Sequence, residues 1–290
     1  MDAVSRIERA LEAALGDAGA AGSPPRLAAA MRHAVFPRGA RIRPRLCLAV
    51  ARACGDDAPA LSVAAAAAIE LMHCASLVHD DLPCFDDAAT RRGRPTVHKA
   101  FGQDIAVLTG DALIVLAFQT LARAARSAPA RLGEVTLIVG ESVGMPFGIA
   151  AGQAWESEPA VDLARYHQAK TGSLFAGATL AGAAAAGSQS IESWRLLGER
   201  LGEAYQVADD LRDAVSDESE IGKPVGKDSA LGRPNAVAAL GLSGAVERLR
   251  SLADSAVAAV PDCAGGAELR SVILSETRRL MPARLPAHAA

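Results

Sequence analysis

Aromatic side chains are scarce in this chain. Two tryptophans, two tyrosines and six phenylalanines are spread over 290 residues, so stacked rings cannot dominate the interior. Half of the residues are nevertheless hydrophobic, which leaves alanine, leucine and valine to form the core. Alanine is the strongest helix former, and small side chains let helices pack closely. Alternating β-branched runs are absent, so the reading is all-α. Net charge is nearly lacking too: −3 over the whole chain offers no general attraction to nucleic acid. The cysteines, Cys47, Cys54, Cys74, Cys84 and Cys263, are odd in number and lack Cys-x-x-Cys spacing. Free thiols in a reducing cytoplasm are the expectation, with Cys74 and Cys84 as small packing residues. No basic-then-apolar leader opens the sequence. The uncharged stretch 171–191 is mostly Gly, Ala, Ser and Thr, which reads as a buried helix or helix pair and not as a membrane span. No linker, composition shift or fixed-period repeat divides the chain. One large domain over 1–290 is expected, with about 283–290 as a frayed tail.

What is present is acid, placed at the ends of apolar runs. Between Glu70 and Pro95 an apolar helical stretch delivers Asp80 and Asp81; Asp86 and Asp87 follow, then Arg91, Arg92 and Arg94. Carboxylates at this density repel one another unless a cation sits among them. Hard oxygen ligands with arginines nearby suit Mg²⁺ holding a phosphate. Asp80 and Asp86 would face apart on an unbroken helix, about 240° around it. Pro83 lacks an N–H and disrupts a regular turn, so Leu82 and Pro83 can act as a two-residue bulge that returns Asp86 to the Asp80 side. A solvated acidic turn is the alternative for an isolated pair. A second motif, Asp209-Asp210-x-x-Asp213, argues against it: Asp209 and Asp213 share a helix face without any bulge. Two such motifs, each closing an apolar helical run and expected to meet in space, point to a site where several Mg²⁺ ions bind a diphosphate.

Asp-Asp-x4-Asp before Arg-Arg-Gly, with the later Asp-Asp-x2-Asp, resembles the two aspartate-rich motifs of trans-polyprenyl diphosphate synthases. The wording around 70–81 and the Gly-Arg-Pro-Asn-Ala-Val stretch at 232–237 are most similar to bacterial geranylgeranyl diphosphate synthases of carotenoid and bacteriochlorophyll pathways. The resemblance runs from about Arg38 to Val237. It implies a helical bundle of the isoprenoid synthase type around a central cavity, and a homodimer. It also implies a reaction: isopentenyl diphosphate condenses with an allylic prenyl diphosphate, and the main product is geranylgeranyl diphosphate. Asp80, Asp86 and Asp209 are then the metal ligands, with Asp81, Asp210 and Asp213 completing the motifs. Arg91, Lys170 and Lys223 hold the allylic diphosphate. Thr171 and Gln206 offer oxygen dipoles to the allylic cation. Arg43, His73 and Arg92 hold isopentenyl diphosphate. The family usually reads Gly-Gly-Lys-Arg-x-Arg-Pro where this chain has Arg38-Gly-Ala-Arg-Ile-Arg-Pro44. Ala40 replaces a diphosphate lysine there, and Arg38 or Arg41 are candidates to compensate.

Other features weigh against this reading or are neutral to it. Asp56-Asp57 lies between Gly55 and Pro59 in a turn and reads as solvated. Glu70-x-x-His73 has di-iron spacing but lacks the second copy such a site needs. The polar, Gly-rich stretch 216–235, containing Lys223, reads as a lid or as an ordinary loop. Product length is expected to depend on Ala75 and Ser76, about 6–7.5 Å down the helix from Asp80, with Met72 as a soft floor. Three alternative functions remain: a farnesyl diphosphate synthase, a class I terpene cyclase, and a non-catalytic regulatory subunit. Cyclases usually carry a different second motif and aromatic pockets, and regulatory subunits tend to lose one acidic motif.

Overall fold

The computed structural model describes residues 2–36, 39–159, 166, 168–215 and 235–281. Among these, twelve α-helices carry the fold, and the strands are limited to one short hairpin, β1 (Thr90–Arg91) against β2 (Arg94–Pro95). The chain divides into two compact units: Met1–Gly140 with Gly177–Ile191, and Glu141–Ala176 with Glu192–Ala290.

The first unit is built on α4 (Pro59–Asp80). Residues 64–72 of this helix are all buried, so it is covered on every side, and this is why its sequence is a continuous apolar run with little helical periodicity. It packs on α1 (Ala3–Ala18), α3 (Ile42–Ala53) and most extensively on α6 (Gln103–Ala124). Between α1 and α3 lies α2 (Pro25–Val35), which starts with proline, where the missing N–H costs nothing. The short α5 (Val97–Phe101) follows the hairpin, and α7 (Leu132–Val143) follows α6. By length and composition α4 and α6 are apolar enough to cross a membrane, whereas the 171–191 stretch is not among such helices. Most of α4 is buried in the protein, as a core helix should be; α6 instead leaves Val107, Leu108 and Val115 exposed.

A charged pair, Glu70 with Arg41, lies inside this core. Glu70 is 2% exposed and accepts from Arg41 Nη1 at 2.5 Å; Arg41 also donates to Glu8 at 2.9 Å and to the Val35 carbonyl at 2.9 Å. Burial opposes the charge on Arg41, but Glu8 and Glu70 outweigh it. Arg41 therefore ties α1, α2 and α4 together, and its fork is not offered to a ligand. Glu70 is equally committed, which removes it from the metal-ligand reading. Glu70→Ala takes from the buried Arg41 its closest carboxylate and leaves its Nη1 without that partner, with only Glu8 to balance the charge. It should destabilise the protein by roughly 3–5 kcal/mol, measurable by urea unfolding; a loss below about 1 kcal/mol, the range of surface pairs, would contradict this placement.

The second unit contains α8 (Ile149–Trp155) and a π-helical turn (Gln168–Gly172). That turn runs into α9 (Ser173–Ala185), whose residues from Gly177 onward belong to the first unit. Then come α10 (Arg195–Val215), α11 (Ala236–Ala258) and α12 (Gly266–Leu280). Val207 and Leu211 of α10 pack with Val246, Leu249 and Leu252 of α11. Gly198 and Gly202 let α10 lie directly on the 172–176 backbone: a Cβ at either would come within 2.8 Å of it. The helical stretch 236–280 is interrupted twice, at Gly241, whose φ of 70° leaves the helical region, and between Ala258 and Gly266.

Candidate active site

In the first unit the acidic loop grows out of the end of α4. Asp80 is the last helical residue and Asp81 caps it. Carboxylates at a helix C-terminus oppose the macrodipole, which is locally unfavourable by about 0.3–1 kcal/mol each. After the Leu82-Pro83 bulge the Asp86 N–H donates to the Asp80 carbonyl at 3.0 Å, and Asp87 N–H to the Leu82 carbonyl at 3.1 Å. The bulge thus closes on itself and brings Asp86 back to the helix end at Asp80. Asp87 anchors the loop from outside: its Oδ1 accepts from Lys99 Nζ at 3.0 Å and lies 3.4 Å from His98 Nε2. Cys74 is buried, and its thiol is pushed up to about 12. Cys84 is exposed on the loop and is not the packing residue expected.

Asp81 turns inward and is 3% exposed. Burial raises its pKa, against the pull of Arg91, whose Nε and Nη2 hold it at 2.6–2.9 Å. Arg91 therefore meets a ligand only with its other edge. The hairpin turn after it, with Arg92 at φ 53° and Gly93 at φ 74°, carries Arg92 to Gly39. A Cβ at Gly39 would lie 2.5 Å from Arg92 Nη2, so a side chain there would push the guanidinium aside. His73 is held well below the usual imidazole range by burial and then by Arg43, Arg92, Arg91 and Arg41. His73 thus lies near four guanidiniums, two of which, Arg41 and Arg91, are paired with carboxylates. A cleft on the neighbouring face of α4 is lined by Cys74, Leu77, Asp81, Arg91, Arg92 and Thr96, among others.

In the second unit Asp209 and Asp213 lie one turn apart in the last two turns of α10. Both are partly exposed, and Asp209 accepts from Arg212 at 3.3 Å. Asp210 is buried. The π-helical turn carries Lys170 and Thr171. Lys170 Nζ donates to Glu156 Oε1 at 2.5 Å, and Tyr166 donates to the same oxygen at 2.5 Å. Thr171 Oγ1 donates to Gln206 Oε1 at 3.0 Å. Arg38, Lys223 and the 216–234 part of the expected lid lie outside the described residues. Among the described residues no three His, Cys, Asp or Glu side chains form a metal-holding group by themselves.

The chain matches the polyprenyl synthetase family model over residues 24–266, most of its length. The chain belongs to that family. It is 53% identical to a geranylgeranyl diphosphate synthase of Cereibacter sphaeroides over 282 residues, covering 97% of this chain and 98% of the relative. It is 50% identical to one of Rhodobacter capsulatus over 284 residues, covering 98% and 97%. A solved geranyltransferase from Helicobacter pylori, complexed with magnesium and isoprenyl diphosphate, superposes with a TM-score of 0.80 at 29% identity, covering 95% of this chain and 96% of that one.

Met72 and Ala75 are each 1% exposed, whereas His73, Ser76 and Asp80 form a partly accessible stripe on one face. Ser76 Oγ donates to the His73 carbonyl. Two features escaped the sequence reading: the Asp87–Lys99–His98 anchor and the inward bonds of Asp210. Of Asp56-Asp57, read as solvated, Asp57 is exposed and also pairs with Arg131, whereas Asp56 is half-buried and accepts from Ser62.

Proposed function

We propose that this chain condenses isopentenyl diphosphate with an allylic diphosphate and releases geranylgeranyl diphosphate, as its bacterial relatives are named to do. One observation carries the reading. The Asp80–Asp86 loop, closed on itself, ends the helix that carries His73, and Arg91 and Arg92 line a cleft against that same helix. The first suits a diphosphate held through metal; the second suits a diphosphate held directly. Two anionic substrates need both.

The donor set fits Mg²⁺. Its ligands would be Asp80, Asp86 and Asp209, all hard oxygens. They are too few for a closed protein cage, as suits an ion that keeps waters and substrate phosphate oxygens. When bound, Mg²⁺ neutralises the allylic diphosphate and makes it a better leaving group. Lys170, steadied by Glu156, and the free edge of Arg91 add positive charge to the same group, with Lys223 as a further lysine. The allylic C1–O bond breaks and its electron pair leaves with diphosphate. Arg43, His73 and Arg92 hold isopentenyl diphosphate so that its C3=C4 electrons form the new bond to C1. The C2 proton then passes to the released diphosphate, and the double bond shifts to C2=C3.

The two units together make one polyprenyl synthase domain in this reading, and the protein works in the cytoplasm. The exposed Val107, Leu108 and Val115 of α6 suit a second copy of the chain. Sedimentation without detergent should then give twice the chain mass; a monomer would reject the dimer.

Diphosphate release tests the reaction. It should require isopentenyl diphosphate and match its consumption one for one. Release from an allylic diphosphate alone, with a hydrocarbon product, would favour a cyclase.

A further inference from the structure

Asp210 stands apart from the two aspartates that flank its motif. It is 6% exposed, and its oxygens are bonded inward: Oδ1 accepts from Gln206 Nε2 at 3.0 Å, and Oδ2 accepts from the Ala236 N–H at 2.7 Å. Ala236 is the first residue of α11, where backbone N–H groups have no intrahelical partner. Its neighbours Val237 and Ala238 donate to Asn235, so Asp210 completes the cap.

We propose that Asp210 is a positioning residue that sets the direction of protons along Thr171–Gln206, leaving the Thr171 oxygen lone pairs for the allylic cation. The proposal rests on the prenyl-transfer reading. A carboxylate only accepts, so Gln206 must turn its NH₂ towards Asp210 and its carbonyl towards Thr171. Thr171 then donates its proton to Gln206, and the end of the chain away from Asp210 is negative. Asp210→Asn reverses this order. The Ala236 N–H cannot turn away, so it claims the new carbonyl and directs the new NH₂ at Gln206. Gln206 must flip, Thr171 becomes the acceptor, and its proton is released towards the cation.

The test is a double-mutant cycle of Asp210→Asn with Thr171→Val, reading kcat, both KM values and the Mg²⁺ concentration for half activity. Asp210→Asn should lower kcat about 100–1,000-fold, the range for losing one aligned dipole at a developing charge. Both KM values and the Mg²⁺ requirement should stay within about twofold, and Thr171→Val should cost much less in the variant than in the wild type. A rise in the Mg²⁺ requirement like that of Asp209→Asn would make Asp210 a metal ligand and overturn the proposal. An equal cost of Thr171→Val in both backgrounds would overturn it as well. If Asp210→Asn does not fold, the same cycle with Gln206→Met, which cuts the chain one link nearer Thr171, decides the matter. Wild-type protein that forms no prenyl product would instead reject the reaction itself.

Discussion

Asp209→Ala is expected to lower turnover by at least about a thousandfold, or about 4 kcal/mol of barrier, with the fold retained. Its structural role is slight. Asp209 and Arg212 are each more than a third exposed and form an i,i+3 pair worth a few tenths of a kcal/mol. Asp80→Ala should behave alike in rate. Its stability should hold or rise, because Asp80 sits at the C-terminal end of α4 against the helix dipole. The double variant should be little worse than either single one, since residues that hold one metal site act as a unit. Steady-state rates and thermal melts on the same preparations check this. Near-normal turnover by folded Asp209→Ala protein would remove the second motif from the mechanism.

Ser76→Tyr should convert the main product from twenty carbons to fifteen. If the growing tail leaves the diphosphate end along the accessible stripe of α4, it passes Ser76 one turn below Asp80. Serine leaves that path open; a phenol ring there overlaps a fourth isoprene unit. Overpacking typically costs about 1–3 kcal/mol, so kcat/KM for farnesyl diphosphate should fall about 5–150-fold, while that for geranyl diphosphate changes little. Ala75, the other position expected to limit length, is 1% exposed. A tyrosine there must first displace core neighbours, so Ala75→Tyr mixes a stability loss with any shift in product. Chromatography of the prenyl alcohols after phosphatase treatment reads the outcome. Unchanged chain lengths from active Ser76→Tyr protein would place the tail elsewhere.

Much of this was legible in the residues themselves. α4 announces itself as an uninterrupted small-residue run ended by acid, because a helix buried on all sides needs no polar face. The return of Asp86 to Asp80 follows from helix arithmetic and the missing N–H of Pro83, and the 3.0 Å backbone bond between them fits it. What could not be read is which partner a charged side chain chooses. Arg41 and Arg43 look equivalent in sequence, since a guanidinium fork fits carboxylate as well as phosphate. Only the packing of α1, α2 and α4 gives Arg41 to Glu70 and Glu8. Asp209 and Asp210 are adjacent in the same way, yet the helix turns one partly outward and buries the other against Ala236. The Asp87–Lys99 bond joins residues twelve apart across a hairpin and has no local signature. The breaks that divide 236–280 were visible as Gly241 and Pro261-Asp-Cys-Ala-Gly265, but apolar periodicity on either side obscured them.

The central claim is prenyl transfer by this chain acting alone. The most direct measurement incubates the purified protein with farnesyl diphosphate, labelled isopentenyl diphosphate and Mg²⁺, with and without a chelator, and separates the products by chain length. The account predicts label in a twenty-carbon prenyl diphosphate with Mg²⁺ and none once the metal is removed. Folded protein that transfers no label with Mg²⁺ present would contradict it.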